Sequence, residues 1–291
     1  MVFIEYPVDS APWSRNSRFW AAHGGGSVTL PEIIVDSGHQ YTNGYEDFYK
    51  VYKGMVDAEL ARPPQAAIDA RWWRNGNRVQ FDARLTNLTG ATLSASRNDA
   101  TVHAIVYEDA HVADTDRFAR AVAFAAVSDD LAPGATADFS LVTPELVGVN
   151  WDKLHFLVLA DYRPTGASGS YDMLQAAVAV PAAFDAIPDT YSFLVDPASP
   201  ANQSFQVRFS GPDSLTWSAT TDVPWLSVTP ASGLVAAHPI VSLKEGMISA
   251  GWQEGHVNFT TTGGEPVLSD QILIRAYLGP VAHVYLPATQ R

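Results

Sequence analysis

Acidic side chains crowd one short stretch of this sequence beside a histidine. The stretch contains four carboxylates and one imidazole: Glu108, Asp109, His111, Asp114 and Asp116. Carboxylate oxygens are the hard ligands that calcium prefers, so Asp109, Asp114 and Asp116 are candidate calcium ligands. Their spacing does not match an EF-hand loop, and a solvated acidic loop without an ion is the alternative that we favour. Calcium is therefore the one cofactor that the sequence offers.

Motifs for catalysis are absent from the sequence. The eight histidines contain no His-x-x-x-His or His-Glu-x-x-His pair, so a zinc site is not expected. No Gly-x-Ser-x-Gly elbow marks a hydrolase nucleophile. The chain has no cysteine, which removes thiolate nucleophiles and dithiol redox chemistry. These observations predict a protein without enzymatic activity.

Two of the eight tryptophans are candidate ligand-binding residues. Trp73 follows the inward-facing Trp72 on an alternating strand and so falls on the opposite face, and Trp252 follows Gly251 in a predicted loop. Exposed aromatic rings stack on sugars and anchor protein interfaces. Packing against a neighbouring domain is the alternative for both rings.

Length and charge limit the classes of partner. A chain of 291 residues is long enough for two or three domains. Its 18 basic and 31 acidic residues give a net charge of -13, which repels nucleic acid and anionic membranes. No apolar run is long enough to span a bilayer. No signal peptide precedes the first predicted strand, so we expect either no cleaved N-terminal signal or a start downstream of the natural one.

The stretch from Ala67 to Tyr107 organises the rest of the chain. Alternation over Ala66–Arg74 and Val79–Leu85 predicts two half-buried strands, and Asn75-Gly76 predicts a tight hairpin turn between them. The run Val102–Tyr107 lacks clean alternation, which is typical of a strand covered on both faces.

Residues 1–64 predict a small α/β segment. The expected strands and helices are Val2–Val8, Ser14–Ala22, Pro31–Val35 and Tyr45–Ala61. With Leu30-Pro31 before the second strand and Val35-Asp36-Ser37-Gly38 at its end, this order resembles the second half of a thioredoxin-like domain. The resemblance implies a cis proline at Pro31. The Cys-x-x-Cys helix of that family has no counterpart here, so the resemblance does not imply redox activity.

Residues 65–181 contain short β-rich runs separated by turn signals, which favours an antiparallel β-sandwich. The order of the α/β segment, this sandwich and the closing Gln175-Ala176-Ala177 resembles the outer-membrane-protein-28-like family. That resemblance implies export and a surface setting.

A second sandwich is predicted over residues 188–279, followed by a short tail at 280–291. Trp217-Ser218-Ala219, Trp225–Gly233 and Gly255–Thr260 resemble the BACON family of Ig-like domains. The resemblance implies that Trp217 and Trp225 fill the core. It also implies a setting among carbohydrate-active proteins, in which such domains bind carbohydrate or mucin or act as spacers.

The predicted fold class is mainly β, with two antiparallel, Ig-like β-sandwich domains preceded by a small α/β thioredoxin-like fragment. For function we predict a non-enzymatic extracellular or cell-surface protein whose sandwiches bind carbohydrate or protein, or act as spacers. One alternative is a structural subunit that self-assembles into a surface layer or filament through strand edges. The other is a thiol–disulfide oxidoreductase whose catalytic half lies upstream of Met1.

Overall fold

The computed structural model of the chain describes residues 4, 6, 15–24, 27, 32–43, 47–112, 115–166, 168–198 and 203–280. The fold is mainly β, as the sequence predicts. The chain divides into two compact units, Met1–Pro181 (unit 1) and Ala182–Arg291 (unit 2). Of the helices described, none is both long and apolar enough to cross a bilayer.

Unit 1 combines a helical N-terminal part with strands. Its helices are α1 (Asn16–His23), α2 (Phe48–Leu60) and α3 (Ala95–Asn98). Its strands are β1 (Glu32–Val35), β2 (Gln40–Asn43), β3 (Ala66–Asn75), β4 (Arg78–Asn87), β5 (Thr101–Val112), β6 (Thr115–Ala126), β7 (Thr136–Val142), β8 (Leu154–Tyr162), β9 (Asp172–Val178) and β10 (Val180–Pro181).

Two four-stranded sheets form a sandwich in unit 1. One sheet has the order β10-β3-β4-β7 and the other β6-β5-β8-β9. A shared core of buried aliphatic and aromatic side chains lies between them, including Phe81, Leu85, Val106 and Val158. The two-residue pairing of β10 with β3 is parallel, and the other pairings in these two sheets are antiparallel, as the sequence predicts.

The central hairpin forms with a shifted turn. Asn75 pairs with Arg78, so the two turn residues are Gly76 and Asn77 rather than the predicted Asn75-Gly76. Gly76 has a φ of 61°, a conformation that glycine adopts without steric cost. The prediction for Val102–Tyr107 is confirmed, since every residue in this part of β5 is buried.

The N-terminal part of unit 1 contains a hairpin that the sequence did not predict. Strand β1 pairs with β2 in antiparallel register, and a 3-10 turn at Asp36–Gly38 connects them. The helices α1 and α2 correspond to the predicted helices with shifted ends. The predicted strand Val2–Val8 is described only at Ile4 and Tyr6, and Leu30-Pro31 lies outside the described residues.

Unit 2 consists of short strands and two long ones. They are β11 (Asp185–Ile187), β12 (Thr190–Val195), β13 (Ser204–Gln206), β14 (Arg208–Ser210), β15 (Thr216–Thr221), β16 (Leu226–Thr229), β17 (Ser232–Leu234), β18 (Ile240–Leu243), β19 (Gly251–Thr262) and β20 (Ser269–Leu278). The largest sheet has the order β12-β20-β19-β15-β17, a second has the order β13-β18-β16, and β11 pairs with β14. The pairing of β12 with β20 is parallel.

The core of unit 2 is built around aromatic side chains. Trp217 is fully buried, and its ring lies 5.0 Å from Phe209 and 5.7 Å from Phe259 between centroids. Its indole nitrogen donates a hydrogen bond to the carbonyl oxygen of Leu234 at 2.8 Å. Trp225 is also buried. The prediction that Trp217 and Trp225 fill this core is therefore confirmed.

Candidate functional site

Three large side chains line up across neighbouring strands on the outer face of the five-stranded sheet. Trp252 on β19 pairs with Tyr277 on β20, and Tyr277 pairs in turn with Leu194 on β12. We call these three residues the aromatic row. Trp252 is 63% exposed and Leu194 is 50% exposed. The Trp252 and Tyr277 ring centroids lie 5.3 Å apart at an interplanar angle of 46°.

The alternation of β19 and β20 explains why the aromatic row faces outward. Val257 and Phe259 on β19 and Ile274 on β20 are fully buried, so their strand neighbours must point away from the core. Trp252 lies one residue inside β19 rather than in the loop that the sequence predicted. A position on a paired strand holds the ring more rigidly than a loop would.

Polar side chains continue the same face beyond the aromatic row. Glu254 pairs with Arg275 in the next row, and their side chains form an exposed ion pair at 2.9 Å. One row further, His256 Nδ1 lies 2.8 Å from Asp222 Oδ2. Burial opposes the charged form of Asp222, but hydrogen bonds from the His256 backbone and ring outweigh it and lower the pKa of this carboxyl. This face therefore offers an apolar end beside paired charges.

Trp73, the other tryptophan predicted to bind a ligand, does not expose its ring to solvent. Trp73 is 4% exposed, whereas the alternation predicted an exposed face. Trp72 is half-buried and stacks on Phe156 with centroids 3.8 Å apart. Alternation assigned the two rings correctly to opposite faces, but it does not tell whether the outer face is covered. The buried Trp73 ring is not accessible to a ligand, and its burial agrees with the packing alternative rather than with an exposed contact.

The described residues of the acidic stretch lie on β5 and β6, near the end of their pairing, rather than in an open loop. Asp109 Oδ2 lies 2.7 Å from His155 Nε2, and Asp116 Oδ1 lies 2.7 Å from His111 Nδ1. Asp114 is outside the described residues. Where the chain is described, no three acidic or imidazole side chains gather so that they could hold a metal ion. Asp109 and Asp116 thus each face a histidine, whereas Glu108 faces Arg120. Calcium binding by Asp109, Asp114 and Asp116 stays a prediction from the sequence.

A buried charge network in unit 1 holds α1 against β8. Asp161 is fully buried, and it accepts hydrogen bonds from Arg18 at 2.6 and 3.1 Å and from Arg15 at 3.1 Å. Burial opposes the charged carboxylate, but contacts with His103, Arg18 and Arg15 outweigh it and hold the pKa of Asp161 well below its usual range. These side chains are enclosed, so the network positions α1 and does not form an open site.

A second network joins α2 to β9. Arg62 donates hydrogen bonds to Asp172 at 2.8 and 2.6 Å and to Glu59 at 2.5 Å. Glu59 also lies 2.7 Å from His39. Burial and the neighbouring Glu59 carboxyl raise the pKa of Asp36 to about 6. Sequence reasoning missed both networks because each joins residues more than 100 positions apart.

Comparisons with known proteins give no family. No family model matches the chain, and no curated protein matches it. Similar solved structures include a protein of unknown function from Porphyromonas gingivalis W83, with TM-score 0.24, 10% identity and coverage of 74% of this chain and 100% of that one. They also include a titin structure (TM-score 0.22, 8% identity, 72% and 98% covered) and Drosophila N-cadherin EC1-4 (0.25, 11%, 73% and 66%). At such TM-scores these likenesses carry no argument about function.

Proposed function

We propose that this chain is a non-catalytic binding protein of the extracellular space or cell surface, and that unit 2 binds carbohydrate on the aromatic row. The single observation that carries the proposal is the exposure of Trp252 beside Tyr277 on a paired strand. The resemblance of the Trp217 and Trp225 segments to BACON domains supports the same reading.

The chemistry of the row suits a sugar. The carbon-bound hydrogens of a pyranose ring pack on the face of an indole, and the burial of both surfaces is favourable. Trp252 is 63% exposed, so much of its apolar surface is in contact with water. A bound ligand would cover this surface and displace the water from it. The Glu254–Arg275 pair in the next row supplies acceptors and donors for hydroxyl groups.

A glycan array probed with the full chain tests this proposal. We expect binding to at least one glycan, and loss of that binding in Trp252→Ala and Tyr277→Ala. Trp20→Ala is the matched control, because Trp20 is 52% exposed but lies on α1 of unit 1. Binding that survives Trp252→Ala, or an array without any bound glycan, would contradict the proposal.

Self-assembly is a second candidate, and the edge strands of unit 1 favour it. Strands β6 and β7 are each at the end of their sheet. Phe124 on β6 and Val142 on β7 are 60% and 48% exposed, and they line a groove of about 620 Å³ that also contains Arg78 and Glu145. Unpaired strand edges can pair with another chain. Light scattering tests this candidate, since a strict monomer at high concentration would exclude it.

Thiol–disulfide chemistry finds no support within this sequence, because the chain contains no cysteine. That alternative concerns residues outside the chain, and we do not propose it.

A further inference from the structure

We propose that the ligand of the aromatic row is an uncharged polysaccharide, and that Glu254 and Arg275 supply its hydrogen bonds. This inference rests on the proposed function and names the ligand class of the same site. It follows from the positions and charges of the side chains that adjoin the row.

The first step concerns position. Glu254 follows Trp252 by two residues on β19, and Arg275 precedes Tyr277 by two residues on β20. Two residues of a strand advance about 7 Å, and side chains two apart share a face. The ion pair therefore forms the next row on the same surface. The Glu254 and Arg275 side chains are 60% and 49% exposed, so both are accessible to a ligand.

The second step concerns extent. A ligand that packs on Trp252 and also reaches Glu254 and Arg275 must cover two rows of the sheet. That span exceeds one sugar ring, so the site fits a chain of sugars lying along the strands. Ser192 on β12 pairs with Arg275 and adds a hydroxyl group to the second row.

The third step concerns charge. In the aromatic row and the two rows beyond it, the basic side chains are Arg275 and His256. Each has a carboxylate partner, Glu254 for Arg275 and Asp222 for His256. An acidic sugar would therefore meet Glu254 without gaining an unmatched positive charge. The net charge of -13 adds a general repulsion of polyanions. A neutral sugar chain avoids both costs, whereas its hydroxyl groups can still bond to the ion pair.

The test compares polymers that share a backbone and differ in charge. Suitable pairs are hydroxyethyl cellulose with carboxymethyl cellulose, methyl-esterified with de-esterified pectin, and desialylated with native mucin. The full chain is titrated with each at low and at physiological salt. We expect the neutral member of the bound pair to bind at least about tenfold more tightly, with little salt dependence.

Glu254→Gln provides the second arm, because it leaves Arg275 without its carboxylate. We expect this variant to lose roughly tenfold in affinity for the neutral polymer, since it removes one charge-assisted acceptor. We also expect it to gain affinity for the acidic member. Trp20→Ala again serves as the control, with affinities equal to those of the unmodified chain.

The outcomes separate the two proposals. Tighter binding of the acidic polymers, lost in Trp252→Ala, would overturn the ligand class and leave the proposed function intact. A glycan bound on the array without binding to any of these polymers would overturn this inference alone. Binding that does not depend on Trp252 would overturn the proposed function and this inference with it.

Discussion

The Arg18 guanidinium and the Asp161 carboxylate form a two-point ion pair inside unit 1, with Nη2–Oδ1 at 2.6 Å and Nε–Oδ2 at 3.1 Å. Asp161 is fully buried and Arg18 is nearly so. The two residues stand 143 positions apart in the chain, so this pair ties α1 to the end of β8. Stability of unit 1 should therefore depend on it.

We expect Asp161→Asn to lower the free energy of unfolding by about 3–5 kcal/mol, because it leaves the buried Arg18 and the partly buried Arg15 guanidinium groups without their full charge partner. Asp138→Asn is the matched control. Asp138 also forms a two-point pair, with Arg84 at 2.7 and 3.1 Å, but both side chains are more than half exposed. That change should cost about 1 kcal/mol or less. Urea unfolding followed by circular dichroism measures both, and equal losses would show that burial of the Asp161 pair contributes nothing.

Stability should depend on pH through His103. Burial lowers the pKa of this fully buried histidine to about 4, against about 6.5 for a free one. Between these values the unfolded chain binds a proton that the folded chain does not. The contribution of neutral His103 is therefore present above pH 6.5 and is lost as the pH falls toward 4. Its size is at most about 3–4 kcal/mol.

Asp36 should give a slope of the opposite sign. Its pKa is raised to about 6, so the folded chain binds a proton that the unfolded chain has released above about pH 4. Its contribution is present at low pH and is lost as the pH rises through 6. Asp36→Asn should therefore make the free energy of unfolding rise more steeply with pH. His103→Gln should make the free energy of unfolding fall with rising pH, because only the contribution of Asp36 is left. Unfolding curves at several pH values between 4 and 7 measure how the free energy of unfolding depends on pH. The same dependence in both variants and in the unmodified chain would contradict these two assignments.

Gly255 on β19 lies against Trp225 and Val223 in unit 2. A Cβ atom at this position would overlap Val223 Cγ2 and lie 3.0 Å from Trp225 Cζ2. We expect Gly255→Ala to destabilise the protein by about 1–3 kcal/mol through overpacking. Gly54→Ala is the control, since Gly54 lies in α2 with no atom within 4 Å of such a Cβ. That change should stabilise the protein by up to about 1 kcal/mol. Thermal unfolding distinguishes the two, and a neutral Gly255→Ala would show that β19 can move away from Trp225.

The strand pattern of this protein is readable from sequence where alternation is regular. Period-two alternation predicts the two strands on either side of Gly76. The loss of that alternation over Val102–Tyr107 predicts a strand that is buried on both faces. The turn was misplaced by one residue, because Gly76 can occupy either central position of a two-residue turn.

The candidate site was only half predictable. Trp252 was recognised as a candidate from its residue type and its place after Gly251, but its partners Tyr277 and Leu194 were not. Alternation within Gln271–Leu278 places Tyr277 on the same face as Arg275, and this signal was available in the sequence. Which strands are neighbours depends on the tertiary fold, and that is why the row itself could not be derived.

The most direct test of the central claim is a calorimetric titration of the full chain and of Trp252→Ala with the same glycan selected on the array. Because Trp252 is exposed and lies outside the core, its removal should leave the fold and the melting temperature unchanged. We predict at least about a tenfold loss of affinity in the variant and no loss in Trp20→Ala. Equal affinities of Trp252→Ala and the unmodified chain would contradict the claim that unit 2 binds carbohydrate on the aromatic row.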